Sequence, residues 1–473
     1  MTQINRIKRT KILATIGPAV DDPEILEKII RAGVNACRMN FSHGNEQERL
    51  NEIKYIREIS ARIGRNVAIL QDLQGPKIRL GHLKDEMRYD IKRDDVFGLT
   101  YGIEHDGGNN LPSQYDLSDK CDVGDAIYLF DGKIKTIVQS IEGKTVWVKA
   151  MNDGFVISNK AINLPDMKGK SIPVLTDKDL ADLEWGLNQD IDYTALSFVH
   201  TAADVEYLRS IIKSKGSDRP IIVKLETKTA ADPANLESIV KAADGVMVAR
   251  GDLAVEAGAE IVPVIERRII ELCQRYCKLC IVATQMLGSM VDNPEPTRAE
   301  VNDVATAAIE GADAVMLSDE TAMGKYPVEA VTVMNKVLQY TQQHQSVYNL
   351  YERCGSDPQR NGIGKAAVNL ANSDNADAIV VETRGCNMAR NIAVQRPNQA
   401  IIAVAHNQRA ANRASLIYNT QSFVGARGDG EKVARQLVED GFFGKSCARV
   451  VLVRQTADDA PSADTIQLLD ICK

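Results

Sequence analysis

Eight short apolar runs, each ending in polar or charged residues, constrain this chain more than any other feature. In order they are KILATIG, NACRMNFSHG, NVAILQDLQG, DYTALSFVH, PIIVKLET, DGVMVARGD, LCIVATQM and DAVMLSDET. Continuous β-branched runs of this length read as strands buried on both faces, and hence parallel. Helix-period segments such as PEILEKIIRAG and NEIKYIREISARIG lie between most of them. Strand–helix alternation repeated eight times predicts a (β/α)8 barrel of TIM type. A doubly wound sheet is the alternative. Polar termini on all eight segments favour closure, because in a barrel the chemistry gathers at the C-terminal strand ends.

The third and fourth runs are separated by roughly a hundred residues, far beyond an ordinary loop. Across that interval the pattern changes to alternating runs, DVGDAIYLFDG, KIKTIVQSIEG and KTVWVKAMNDG, each closing on a glycine. Residues 77–171 therefore read as a small β-barrel, or a β-sandwich, inserted into the larger barrel and placed to act as a lid. Residues 1–76 and 172–343 then form the catalytic barrel. Beyond them, residues 344–473 read as a separate α/β domain for regulation and oligomerisation, with strands in DAIVVET, AIIAVAHN, RVVLVRQ and TIQLLDI.

A chain of 473 residues with 44% hydrophobic and 26% charged residues has the composition of a soluble globular protein. It contains no apolar stretch long enough for a membrane span. The amino-terminal residues lack an apolar segment followed by a cleavage site, so no signal peptide is expected. Nine cysteines in that setting point to reduced thiols in a cytoplasm. A net charge of −7 with 5% aromatics argues against nucleic acid as the main partner. A small anionic substrate stays compatible with it, since a basic pocket can sit inside an acidic protein.

The strand ends carry the chemistry. The period of two puts Lys224 and Glu226 on one face of the fifth strand. Asp252, in Arg250-Gly251-Asp252, follows the sixth. Two carboxylates on neighbouring strand ends suit Mg²⁺, which takes few protein ligands alongside a substrate. A lysine beside them can stabilise negative charge developing on a phosphoryl or enolate oxygen. The bland alternative is a structural Lys–Glu pair. Thr284 ends the seventh strand and places a hydroxyl in the same ring, though such a threonine can equally be a plain hydrogen-bonding cap. On the second strand Arg38, Asn40 and Ser42 alternate onto one face, able to grip a phosphate or coordinate an ion. The third strand offers Asp72, then Lys77 and Arg79 at the doorway to the insertion. Carboxylates, cations and hydroxyls converging on one mouth fit a metal-bridged phosphate substrate.

In TKILATIGPA, RMNFSHG, DLQGPKIR, NKAINLP, VKLET, VMVARGDLAVE, ATQMLGSM and PTRAEVNDVATA the sequence resembles the pyruvate kinases, with the family's order kept across the whole barrel. The resemblance implies phosphoryl transfer from phosphoenolpyruvate to ADP, giving pyruvate and ATP. By similarity Glu226 and Asp252 hold Mg²⁺ (or Mn²⁺) and Lys224 steadies the phosphoryl group in flight. Arg38 grips the substrate phosphate, and Gly251 and Thr284 face the pyruvate carboxylate side. Thr284 also lies near the point where the enolate collects its proton. Asn40, Phe41, Ser42, His43, Arg79 and Lys160 match nucleotide-contacting positions. Relatives are usually homotetramers, so the same is expected here.

Many members of that family need K⁺, held through positions matching Asn40, Ser42, Asp72 and Leu73 with a glutamate nearby. Here that glutamate position is Lys77, whose tethered ammonium can supply the charge, so K⁺ independence is expected. Two other functions are the alternatives. A Mg²⁺-dependent pyruvate or oxaloacetate lyase shares the paired carboxylates but has no nucleotide for a lid, Arg79 and Lys160 to meet. A non-catalytic relative would not need Lys224, Glu226, Asp252 and Thr284 together. Finally, Cys273, Cys277 and Cys280 have the spacing of an iron–sulfur motif, but they precede the seventh strand and so lie at the end away from the mouth. Cys273 and Cys277 are expected on one helix face, packed with Ile269 and Ile270.

Overall fold

The computed structural model describes residues 8–165, 173–347, 358–454 and 465–473. The chain opens with β1 (Lys11–Ile16), β2 (Ala36–Asn40) and β3 (Ala68–Asp72). The insertion follows with β4 (Tyr89–Ile91), β5 (Val96–Tyr101), β6 (Asn110–Ser113), β7 (Ala126–Leu129), β8 (Ile134–Glu142), β9 (Thr145–Ala150), β10 (Gly154–Val156) and β11 (Ile162–Asn163). Then come β12 (Tyr193–Leu196), β13 (Ile221–Leu225), β14 (Gly245–Ala249), β15 (Leu279–Ala283) and β16 (Ala314–Leu317). Of these, the eight strands outside the insertion close in the order β1-β16-β15-β14-β13-β12-β3-β2, and every pairing is parallel. Each corresponds to one of the eight apolar runs.

Alternation along each strand divides two cores. Ile12, Ala14, Ile69 and Val223 point outward and pack under the helices, whereas Leu13, Leu70, Ile222, Met247 and Ile281 fill the barrel interior. The insertion leaves after β3 and returns before β12, which is β3's own neighbour in the barrel wall. A whole module is thereby added without parting a strand pair. Within it six strands run in the order β11-β7-β8-β9-β5-β6. Arg79 bridges Ala161 and Leu80 bridges Ser113, so this short segment curls the sheet back on itself. Phe97, Leu99, Ile127, Val146 and Val148 are among its core residues.

The carboxy-terminal sheet has order β19-β18-β17-β20-β21, with β17 (Ala378–Thr383), β18 (Ala400–Ala405), β19 (Thr420–Val424), β20 (Cys447–Arg454) and β21 (Thr465–Cys472). The sequence reading anticipates four of these and misses β19, whose TQSFV has no apolar run. This domain docks on the end of the barrel where the strands begin. Lys11 Nζ donates to the Thr420 carbonyl at 2.8 Å, the Tyr193 hydroxyl donates to the Arg413 carbonyl at 2.8 Å, and Arg396 pairs with Asp313 at 2.8 Å. The opposite end, where the strands finish, is left uncovered by this domain.

Two expectations about cysteine need correction. Cys447 and Cys472 are directly opposite each other on β20 and β21 and form a disulfide, so the thiols are not all reduced. The pairing joins residues 25 apart in sequence on strands without any spacing motif, which is why sequence alone does not show it. The helix Val262–Arg275 also ends before Cys277, which sits in the left-handed region at φ 54°. Cys273 and Cys280, not Cys273 and Cys277, are the pair that share the buried core.

One barrel helix carries a pH-sensitive group. Burial, reinforced by the charge of Asp21 and only partly opposed by Arg49, pushes the Glu52 carboxyl up to about 7. The fold therefore holds this proton more tightly than the unfolded chain does, and stability is lost as pH rises between the unfolded and folded values. Glu52→Gln is expected to stabilise the chain by roughly 2 kcal/mol at pH 8 and to change little at pH 4. Denaturant unfolding at both pH values checks this; a variant less stable than the parent at pH 8 contradicts it.

Candidate active site

The barrel brings the sequence-predicted residues to one mouth through strand register. Lys224 lies on β13 opposite Met247 of β14, and Glu226 follows two residues on, one position past the strand. β14 gives way at once to the helix Arg250–Ala257, so Gly251 and Asp252 occupy its first turn. A carboxylate there faces the positive end of the helix dipole. β15 ends at Ala283, and Thr284 and Gln285 follow in the left-handed region at φ 71° and 54°. Arg38, Asn40, Lys77, Lys224, Glu226, Gly251, Asp252 and Thr284 all line a single cleft of about 870 Å³.

Lys224 is the electrostatic hub. Its ammonium stands 2.9 Å from Glu226 Oε1, 3.5 Å from Asp72 Oδ1 and 2.9 Å from Ser197 Oγ. Burial alone would depress the ammonium, but Asp72 and Glu226 outweigh it and raise the group above its ordinary value. Lys224 therefore stays charged at neutral pH. Asp72 lies beneath the floor of the cleft, where Arg38 Nε meets it at 2.6 Å. Burial would raise this carboxyl, yet Lys224 and Arg38 together hold it below the usual carboxylate range. Glu226 behaves oppositely. Burial and the negative charge of Asp252 raise it against the pull of Lys224, even though Oε2 accepts the Phe198 N–H at 2.8 Å.

The insertion closes the cleft from above. Asp131, at φ 54°, lines it, and Gly132 comes so near the helix Arg250–Ala257 that a Cβ there would stand 3.1 Å from Val255 Cγ2. The Asn163 amide also donates to Glu256 at 2.9 Å. Between lid and barrel, Lys77 Nζ lies 3.0 Å from Asp252 and 3.8 Å from Asp131. It is thus paired with the predicted metal ligand and the lid rather than with Asn40, Ser42 or Asp72.

The remaining predicted residues scatter around this centre. Arg79 and Lys160 sit side by side on the lid stem, where Arg79 Nη1 donates to the Asn159 carbonyl at 3.1 Å and Lys160 lies 4.8 Å from the Phe130 ring centroid. His43 is exposed and Ser42 half-buried, with the Ser42 N–H donating to Asn40 Oδ1 at 3.1 Å. Phe41 turns its ring into the core against Trp185 and beneath Arg49. Leu73 is buried, and its carbonyl accepts from Ser197 Oγ at 2.7 Å. Sequence reasoning missed Ser197, the Phe198 amide and Asp131. The first two lie at the end of a run already read as a strand, so the same polar-terminus signal would have found them.

The donor set suits a divalent cation. Three cations, Arg38, Lys77 and Lys224, line the cleft against six carboxylates, Asp131, Glu226, Asp252, Glu300, Asp319 and Glu320. Glu226 and Asp252 are like charges across it, and Asp252 adds to the burial that raises the Glu226 carboxyl. Hard oxygen donors with open space beside them fit Mg²⁺ chemistry. Among the described residues no larger group of His, Cys, Asp and Glu gathers at metal-binding distance.

Comparison with known proteins identifies the family. The family model for the pyruvate kinase barrel domain matches residues 7–331, and that for the pyruvate kinase alpha/beta domain matches residues 361–469. Pyruvate kinase 2 of Synechocystis is 38% identical over 418 residues, covering 88% of this chain and 70% of its own length. The pyruvate kinase of Corynebacterium efficiens is 37% identical over 417 residues, with 88% and 87% covered. A crystal structure of a pyruvate kinase from Cryptosporidium parvum superposes with a TM-score of 0.90 at 30% identity, covering all of this chain and 97% of that one. The lyase alternative gains no support from these matches. The chain belongs to the pyruvate kinase family and is an enzyme that transfers the phosphoryl group of phosphoenolpyruvate to ADP.

Proposed function

We propose that this enzyme works without K⁺, with Glu226 and Asp252 holding Mg²⁺ or Mn²⁺ and Lys77 supplying a fixed positive charge beside them. A divalent ion held by these two carboxylates would supply charge neutralisation for the phosphorylated substrates. Arg38 grips the phosphate of phosphoenolpyruvate, and Lys224 holds its ammonium where the phosphoryl group crosses to ADP. Positioning and electrostatics carry most of this kind of reaction. Gly251 and Thr284 face the carboxylate side of the substrate, and the Thr284 hydroxyl lies on the side where the enolate carbon takes its proton to become pyruvate. The nucleotide follows Asn40, Ser42 and His43 towards Arg79 and Lys160, beneath a lid that excludes water from the phosphoryl donor. The observation that carries the reading is the placement of Lys224 between Glu226 and Asp72 in the cleft that Arg38 and Asp252 also line.

A homotetramer in the cytoplasm, acting on phosphoenolpyruvate and ADP and releasing pyruvate and ATP, completes the proposal. No helix among the described residues is long and apolar enough to cross a membrane. The test is a lactate-dehydrogenase-coupled assay with phosphoenolpyruvate, ADP and Mg²⁺ in tetramethylammonium buffer free of Na⁺ and K⁺. Pyruvate formation at nearly the rate seen with K⁺ is expected, and light scattering of the same preparation should give four chain masses. Pyruvate only when K⁺ is added refutes the role given to Lys77. No pyruvate under either condition refutes the kinase reading.

A further inference from the structure

Thr284 and Gln285 are consecutive residues with side chains in the left-handed backbone region, and Thr284 is β-branched. Such a residue adopts that conformation only where its surroundings impose it. Two groups do so here, both from the residues that follow β14. Ala249 and Ala283 are the last register partners of β14 and β15, so residues 250 and 251 emerge directly beside Thr284. The Gly251 N–H donates to Thr284 Oγ1 at 2.8 Å from the cleft side. Arg250 Nη2 donates to the Thr284 carbonyl at 2.8 Å and approaches Met286 Sδ at 2.8 Å, while Nε donates to the Ala283 carbonyl at 3.3 Å.

The guanidinium is itself held on its other edge. Asp303 meets Nη1 at 2.7 Å and Glu266 meets it at 3.7 Å, each carried by a different helix behind the barrel wall. Arg250 does not line the catalytic cleft, whereas Gly251 and Thr284 do. Its planar fork therefore ties the helices to the backbone of the turn and touches no space that substrate enters.

We propose that Arg250 is a positioning residue for the transfer reaction: anchored by Asp303 and Glu266, it fixes the left-handed turn at Thr284 and so aims the threonine hydroxyl into the cleft. This rests on the reading of Thr284 as a group that acts on substrate. A double-mutant cycle tests it, with kcat and the KM for phosphoenolpyruvate and ADP measured for Arg250→Met, Thr284→Val and the double variant. Arg250→Met should lower kcat about 30-fold with both KM values within about threefold. Thr284→Val should lower it about 100-fold, and adding Arg250→Met to Thr284→Val should cost less than a further threefold. Arg250→Lys, which keeps the charge but not the fork, should recover part of the loss. Asp303→Asn leaves the arginine in place and should show a smaller loss of the same kind, which keeps the idea testable if Arg250→Met folds poorly.

Multiplicative losses in the double variant, or Arg250→Met with kcat within twofold of the parent, overturn the proposal. Thr284→Val at full activity overturns the role of Thr284 itself, and it is distinguishable because the Arg250 variants are then judged against an active partner.

Discussion

Lys224→Met is expected to lower kcat at least a thousandfold, corresponding to about 4 kcal/mol of lost transition-state stabilisation. Methionine keeps most of the side chain's length and bulk while deleting the charge that Glu226, Asp72 and Ser197 converge on. The consequences for the two acids differ. Asp72 keeps Arg38 at 2.6 Å and remains ionised. Among the described residues Glu226 keeps the Phe198 N–H but no cation, so burial and the Asp252 charge, which already raise it, lose the opposition of Lys224. A carboxyl raised in this way takes up a proton as pH falls. Divalent-ion affinity in the variant should therefore weaken more steeply towards acid pH than in the parent, while remaining close to the parent's at pH 8. Steady-state kinetics combined with Mn²⁺ binding at pH 6 and pH 8 measure both effects. A loss in kcat below tenfold would place the transferring group away from Lys224.

The parts of this design that were legible in the sequence share one physical cause. Strands of a parallel barrel are covered by helices outside and packed side chains inside, so they appear as unbroken apolar runs, and the first polar residue after each run lands at the mouth. Lys224, Glu226, Asp252 and Thr284 were all reachable by that route. What stayed hidden depends on contacts between segments far apart in the chain. The lid tip is one case: Asp131 belongs to the insertion, and nothing in FDGK foretells its approach to Lys77. The disulfide between Cys447 and Cys472 is another, because the β20–β21 register that creates it is set across the sheet edge. β19 escaped for the opposite reason. In Thr420–Val424 the two buried positions are held by the polar Thr420 and Ser422, Gln421 is polar as well and Val424 is exposed, so three of the five side chains are polar and the run is broken. Cys277 shows that helix ends are poorly marked when no glycine or proline announces them, since Tyr276-Cys277-Lys278 turns out of the helix on side-chain-bearing residues.

Lys77→Met is expected to make the enzyme depend on a monovalent cation: activity in tetramethylammonium buffer should fall about 100-fold, and K⁺ should restore at least a tenth of it. The argument is one of charge. The cleft is already acidic, and its substrates add two phosphorylated anions, so a single fixed ammonium changes the potential at the reacting phosphate appreciably. At roughly 5 Å and an effective dielectric of about 20, one unit charge is worth about 3 kcal/mol, which corresponds to the stated loss. Lys77 also bridges Asp252 to Asp131. Its deletion leaves both carboxylates facing each other across the closing lid, a pocket of negative charge that a small cation can enter. Asp131 is largely exposed, so screening keeps its share small, and Asp131→Asn alone should change activity less than threefold. The two variants thus separate a role in supplying charge from a role in latching the lid. If Lys77→Met retains full activity without K⁺, the tethered ammonium is not the replacement for the ion. If Asp131→Asn proves as damaging as Lys77→Met, the link to the lid is what matters, and the pairing across the cleft mouth must govern closure rather than catalysis.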